Sequence, residues 1–98
     1  MIRHIVFFSA KDPGDIPRIR GALERLREIP EVRHLEVGLN ARRDQLGNVV
    51  DLVVYGEFEG FAELDRFKAH PIYAKTVAVV RPLRELRIAA DYEVPRPA

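Results

Sequence analysis

The sequence predicts an α+β fold, a four-stranded antiparallel sheet with helices on one face. Two patterns predict it: four segments alternate apolar and polar residues or run apolar, and two segments between them space apolar residues by three and four. A third observation concerns assembly. The first and third strands carry large apolar residues on both sides, so the sheet face without helices also needs cover.

The first strand spans Ile2 to Ala10. Ile2, His4, Val6 and Phe8 share one side and Ile5 and Phe7 the other, because successive strand side chains point oppositely. "KDPGD" is a turn. Asp15 is expected to cap a helix with Pro17 in its first turn, where a missing N–H costs nothing. Ile16, Ile19, Leu23, Leu26 and Ile29 form that helix's apolar stripe, and Pro30 ends it. Val32 to Asn40 reads as a second strand with one polar face, followed by the polar loop "ARRDQLGN". Val49 to Phe58 is the third strand. Phe61, Leu64 and Phe67 begin a second helix, Pro71 interrupts it, and Tyr73, Val77 and Val80 resume its apolar face before Pro82. In the fourth strand, Leu86, Ile88, Ala90, Tyr92 and Val94 alternate against Arg87, Ala89, Asp91 and Glu93. "PRPA", residues 95–98, is expected to fray.

This βαββαβ order is the ferredoxin-like arrangement. Its bare apolar sheet face predicts a symmetric homodimer, sheet packed on sheet, closing into a dimeric α+β barrel. The 98 residues form a single domain, with its core at 2–94 and a tail at 95–98. So small a chain buries a modest share of its surface, which adds to the case for association.

Composition removes several function classes. With no cysteine, disulfides, thiolate catalysis and cysteine metal sites are excluded. A net charge of +1 provides no long-range field toward nucleic acid or an anionic membrane, and the basic residues are interleaved with Glu and Asp. No segment approaches the roughly 20 apolar residues of a membrane span, and "MIRHIVFFSAKD" has no signal-peptide pattern. A cytoplasmic protein without nucleic-acid or membrane partners is expected. The glycines of "VGLN" and "YGEFEG" are isolated, and neither a phosphate loop nor a serine-nucleophile motif is present. No cofactor is expected. His4, His34 and His70 with Asp51 or Asp91 are the available metal ligands, but none has a compact spacing such as HExxH, and no metal is expected. Arg42 and Arg43 beside Asp44 read as a solvated turn rather than an anion site.

Two residues attract attention for chemistry. Pro71 denies a backbone N–H and disfavours the helical conformation in the residue before it, so "AHP" marks a junction between two helical pieces. His70 is read first as a cap on the earlier piece, where a cationic imidazole is favoured by the helix dipole, and second as a catalytic group or ligand contact. His4 sits among Ile2, Val6 and Phe8, where desolvation lowers an imidazole's pKa and keeps it neutral. Two readings stand: a general base in an apolar pocket, or a core histidine satisfied by a partner.

The chain resembles the stress-responsive A/B barrel (Dabb) family over Ile2 to Val94. "IRHIVFF", "VRHLEVGLN", "LVVYGEFEGFAELDRFKAHPIY" and "AADYEV" carry the resemblance. It implies the same dimeric barrel. Members it resembles include plant stress-associated proteins and a plant polyketide cyclase, and related barrels include cofactor-free monooxygenases and small isomerases. In that cyclase a first-strand histidine matching His4 lines the pocket. Its tyrosine and histidine from the second helix region fall on Phe67 and Tyr73, where Phe67 cannot donate a hydrogen bond and Tyr73 is a poor base. The resulting expectation is a small hydrophobic or aromatic ligand between sheet and helices. His4 would act as base and Tyr73 as donor, with Leu23, Val54, Phe58, Phe67 and His70 as ligand contacts. A cofactor-free cyclase, isomerase or lyase, a monooxygenase, and a binding protein without turnover all remain open.

Overall fold

A computed structural model of the chain describes residues 1–95, so the tail expected to fray falls, for residues 96–98, outside the described residues. Strands β1 (Ile2–Ala10), β2 (His34–Leu39), β3 (Leu52–Phe58) and β4 (Arg84–Glu93) form one sheet in the order β2-β3-β1-β4. Every neighbouring pair is antiparallel. Helices α1 (Ile16–Glu24), α2 (Phe61–Ala69) and α3 (Pro71–Val80) complete the ferredoxin-like fold. None of the described helices is long and apolar enough to cross a membrane.

The core lies between one sheet face and the helices. Ile2, Val6 and Phe8 of β1 share it with Leu35 and Val37 of β2 and with Leu52, Val54 and Phe58 of β3. Ile19, Leu23, Leu64, Phe67 and Val80 descend onto them from the helices. Burying each such side chain contributes roughly 1.5–3 kcal/mol. Phe67 stacks edge-on against Phe58, ring centroids 4.9 Å apart, and against Tyr73 at 5.4 Å. Gly56, facing His4 across the β1–β3 pair, makes room for this aromatic group: a Cβ there would stand 3.1 Å from the Phe58 ring.

Several expected details differ. Asp15 precedes α1 but makes no capping bond. Asp12 does the capping one turn earlier, accepting from the Gly14 N–H at 2.9 Å, because the chain first makes a short 3-10 turn at Pro13–Asp15. Helix α1 stops at Glu24, and Arg25–Glu28 tighten into a 3-10 turn. Ile29, preceding Pro30, is already extended at ψ 121° and ends the helical run. Strands β2 and β3 are shorter than the apolar runs that contain them, and Val49 is 73% exposed in the loop between them. Phe61 opens α2 but is exposed rather than part of the core stripe.

The proline junction also resolves differently. His70 is extended at ψ 142°, as expected before proline, and separates α2 from α3. Its Nδ1 accepts from the Ile72 N–H at 3.1 Å, so it caps the start of α3 rather than the end of α2. A nitrogen that accepts carries no proton, which removes the cationic reading for this geometry.

Candidate functional site

β1 places His4 on the helix-facing side of the sheet, 2% exposed, opposite Gly56 of β3 and Asp91 of edge strand β4. The register fixes the key contact: His4 Nδ1 hydrogen-bonds Asp91 Oδ1. A carboxylate only accepts, so Nδ1 carries the ring proton and Nε2 keeps its lone pair. Nε2 has no hydrogen-bond partner among the described residues. The ring is further held edge-on to Phe58, with centroids 6.2 Å apart. Burial pushes the imidazole below its ordinary pKa; the Asp91 hydrogen bond and charge oppose this, while the charges of Lys68 and Arg87 add to the lowering. The lowering prevails, and His4 is neutral near pH 7.

His4 borders a cavity of about 200 Å³ between sheet and helices, open to solvent on one side. Val6, Leu23, Val54 and Phe67 form its apolar wall. Tyr73 and Thr76 enter from α3. The Tyr73 hydroxyl has no hydrogen-bond partner among the described residues, whereas Thr76 Oγ1 donates to the Ala22 carbonyl at 3.4 Å. Arg81, Arg84 and Arg87 also line it.

Of the residues singled out from sequence, the structure gathers His4, Tyr73, Leu23, Val54 and Phe67 around this one cavity. Phe58 lies behind it, wedged between His4 and Phe67, and His70 is occupied in capping α3. His34 is exposed beside Glu36, while Asp51 accepts from the Ala10 N–H and pairs with Arg42. The histidines are therefore apart. Among the described residues no three His, Cys, Asp or Glu side chains converge as a metal site requires.

Sequence reasoning missed Asp91 as the partner of His4. Its β4 alternation was visible, but pairing His4 with Asp91 requires the β1–β4 register, in which Ile2 meets Glu93 and Phe7 meets Ile88. It also missed the cavity's arginines, which looked like ordinary surface charge. The apolar side of β4 turns the other way, beside Ile5 and Phe7 on the face away from the helices. There Phe7, Ile88 and Tyr92 are 37%, 53% and 42% exposed.

Fold and site together define a two-layer α+β domain with a histidine–carboxylate pair at the edge of a cavity that has one apolar wall and an arginine-lined side. The chain belongs to the Dabb family: the stress responsive A/B barrel domain matches residues 2–94. Among solved structures, a dimeric ferredoxin-like protein of unknown function from Thermobifida fusca YX is 26% identical with a TM-score of 0.82, covering 95% of this chain and 90% of that one. A Dabb family protein from Mesorhizobium loti MAFF303099 is also 26% identical, at a TM-score of 0.79 and covering 98% and 97%. A hydroxynitrile lyase from Passiflora edulis shares the fold at 20% identity and a TM-score of 0.80, covering 99% and 95%. No curated protein matches the sequence.

Proposed function

We propose that this chain forms a homodimer through its bare sheet face. Each subunit holds a small hydrophobic or aromatic molecule in the cavity and acts on it by cofactor-free proton transfer. Dimerisation is supported by the exposed Phe7, Ile88 and Tyr92, and by the dimeric relative from Thermobifida fusca. The observation that carries the chemistry is the His4–Asp91 pair, which leaves a neutral, unpartnered Nε2 at a cavity with an apolar wall.

The mechanism follows from those groups. A bound carbonyl compound with an acidic C–H would lie with that carbon toward His4 and its oxygen toward Tyr73. Nε2 takes the proton, the C–H electron pair moves into the carbonyl, and the Tyr73 hydroxyl donates to the resulting enolate oxygen. Asp91 fixes the ring's tautomer and stabilises the imidazolium that forms. His4 then returns the proton to carbon or to a leaving group, which is the common step of isomerase, lyase and cyclase chemistry.

The test is hydrogen–deuterium exchange at the α-carbon of small aryl ketones in D2O, followed by NMR. The wild type is expected to accelerate exchange, and His4→Ala to lose the acceleration while unfolding cooperatively. Perturbation of pocket resonances by the ketones without acceleration would leave a binding protein only. Neither effect would remove the ligand reading.

A further inference from the structure

The cavity has a charge its apolar wall does not explain. Three arginines, Arg81, Arg84 and Arg87, line it, and no carboxylate does. None of the three is in an ion pair among the described residues. Elsewhere Arg20, Arg25, Arg27, Arg33, Arg42 and Arg66 each meet an acidic side chain within 4.0 Å, while Arg3, Arg18 and Arg43 are scattered and in no ion pair among the described residues; what sets the three cavity arginines apart is that they converge on one cavity. Arg81 ends α3, where the helix dipole favours a cation, but that reason does not extend to Arg84 and Arg87 on β4.

The backbone that brings them together is fixed. Leu83 N–H donates to the Val80 carbonyl at 3.0 Å and Leu83 O accepts from Lys11 N–H at 2.9 Å, which pins the turn from α3 into β4. In a regular strand residues 84 and 87 would point to opposite faces. The β1–β4 register shifts between Phe8 and Ala10, opposite this stretch, and both arginines line the same cavity. Guanidinium groups match carboxylate and phosphate oxygens in paired hydrogen bonds, and like charges beside a low-dielectric wall concentrate an attractive field for an anion.

We propose that the molecule bound here is an amphiphilic acid: an apolar body of about one aromatic ring against Val6, Leu23, Val54 and Phe67, and an anionic oxygen group held by Arg81, Arg84 and Arg87. This deepens the ligand reading above and rests on it. The size follows from the cavity, about 200 Å³, close to the engineered cavity of roughly 150 Å³ that accommodates benzene. The charged end then faces the arginines and orients the body toward His4 and Tyr73. A carboxylate and a phosphate ester satisfy the arginines equally in kind.

Four probes titrated into the dimer and followed by amide chemical shifts test this: phenylacetate, phenyl phosphate, 2-phenylethanol and inorganic phosphate. One of the two aryl acids is expected to bind at least about tenfold more tightly than the alcohol at low salt, the advantage shrinking at high salt. Which acid binds better identifies the head group. Arg84→Gln and Arg87→Gln, each checked for cooperative unfolding, should bring that acid down toward the alcohol's affinity and leave alcohol binding unchanged. Arg87→Lys should restore part of the loss. Equal binding of alcohol and acids, or indifference to both glutamine variants, overturns the acid proposal and leaves the apolar ligand site standing. Inorganic phosphate binding as tightly as phenyl phosphate also overturns it, by showing a surface anion site without an apolar body. If no aryl probe moves cavity resonances, the ligand reading fails with it, whereas absent deuterium exchange alone counts only against the proton-transfer step.

Discussion

Replacing Asp91 with asparagine removes one charge from beside His4 and changes almost nothing in shape. Two consequences follow, and their signs are fixed by the structure. The carboxylate raises the His4 pKa through both its hydrogen bond and its charge, against the dominant lowering by burial. In Asp91→Asn the midpoint must therefore move lower still. Stability changes as well. A hydrogen bond to a charged group contributes roughly 1.5–3 kcal/mol. Asparagine retains an acceptor for Nδ1–H, and the Asp91 side chain is 28% exposed, so solvent screens part of its interaction. We expect a loss of about 1 kcal/mol, which lowers the melting temperature of a domain this size by about 4–8 °C. The two effects combine in the pH dependence. Because His4 is neutral when folded and protonates more readily when unfolded, its contribution is present above the ordinary histidine pKa of about 6.5 and is lost as pH falls toward the folded value. Asp91→Asn extends that loss to lower pH. The assay is an imidazole NMR titration of wild type and variant, with thermal unfolding at matched protein concentration. A His4 midpoint that stays put or rises would refute the reasoning, whatever the melting temperature does.

Other perturbations test separate parts of the molecule. Phe7→Asp places a charge on the exposed sheet face and should dissociate or unfold the dimer; light scattering that finds the wild type monomeric at micromolar concentration would remove the barrel proposal. Phe67→Ala deletes a ring packed against both Phe58 and Tyr73, at an expected cost of about 3–5 kcal/mol in urea unfolding. A cost below about 1 kcal/mol would mean that the helix layer does not rest on this ring. His70→Ala should lose about 1 kcal/mol through the missing cap on α3, while His70→Asn keeps most of it. Equal losses for both variants would show that the cap is not what His70 contributes.

Some features of this protein are determined locally and can be read along the chain. The alternation of Ile2, His4, Val6 and Phe8 assigns them to one face of a strand because a strand has period two, whatever surrounds it. Pro71 breaks the helical run by its own covalent structure. The apolar Ile5 and Phe7 opposite the helix-facing side indicate a second surface in need of cover. Other features are contacts between segments far apart in sequence, and no local pattern encodes them. Asp91 meets His4 across 87 positions only because β4 pairs with β1 in one register. The same pairing sets Arg84 and Arg87 at the border of the cavity, where a half-buried and an exposed charge become part of its lining. Whether His70 caps the helix before it or after it was decided by the backbone of the Ile72 peptide. Periodicity assigned residues to common faces, but the exposed Phe61 and the apolar side of β4, turned away from the helices, show that it did not decide which face is buried. Register and close packing decided which of them meet, because those distances are set by the folded sheet and not by spacing along the chain.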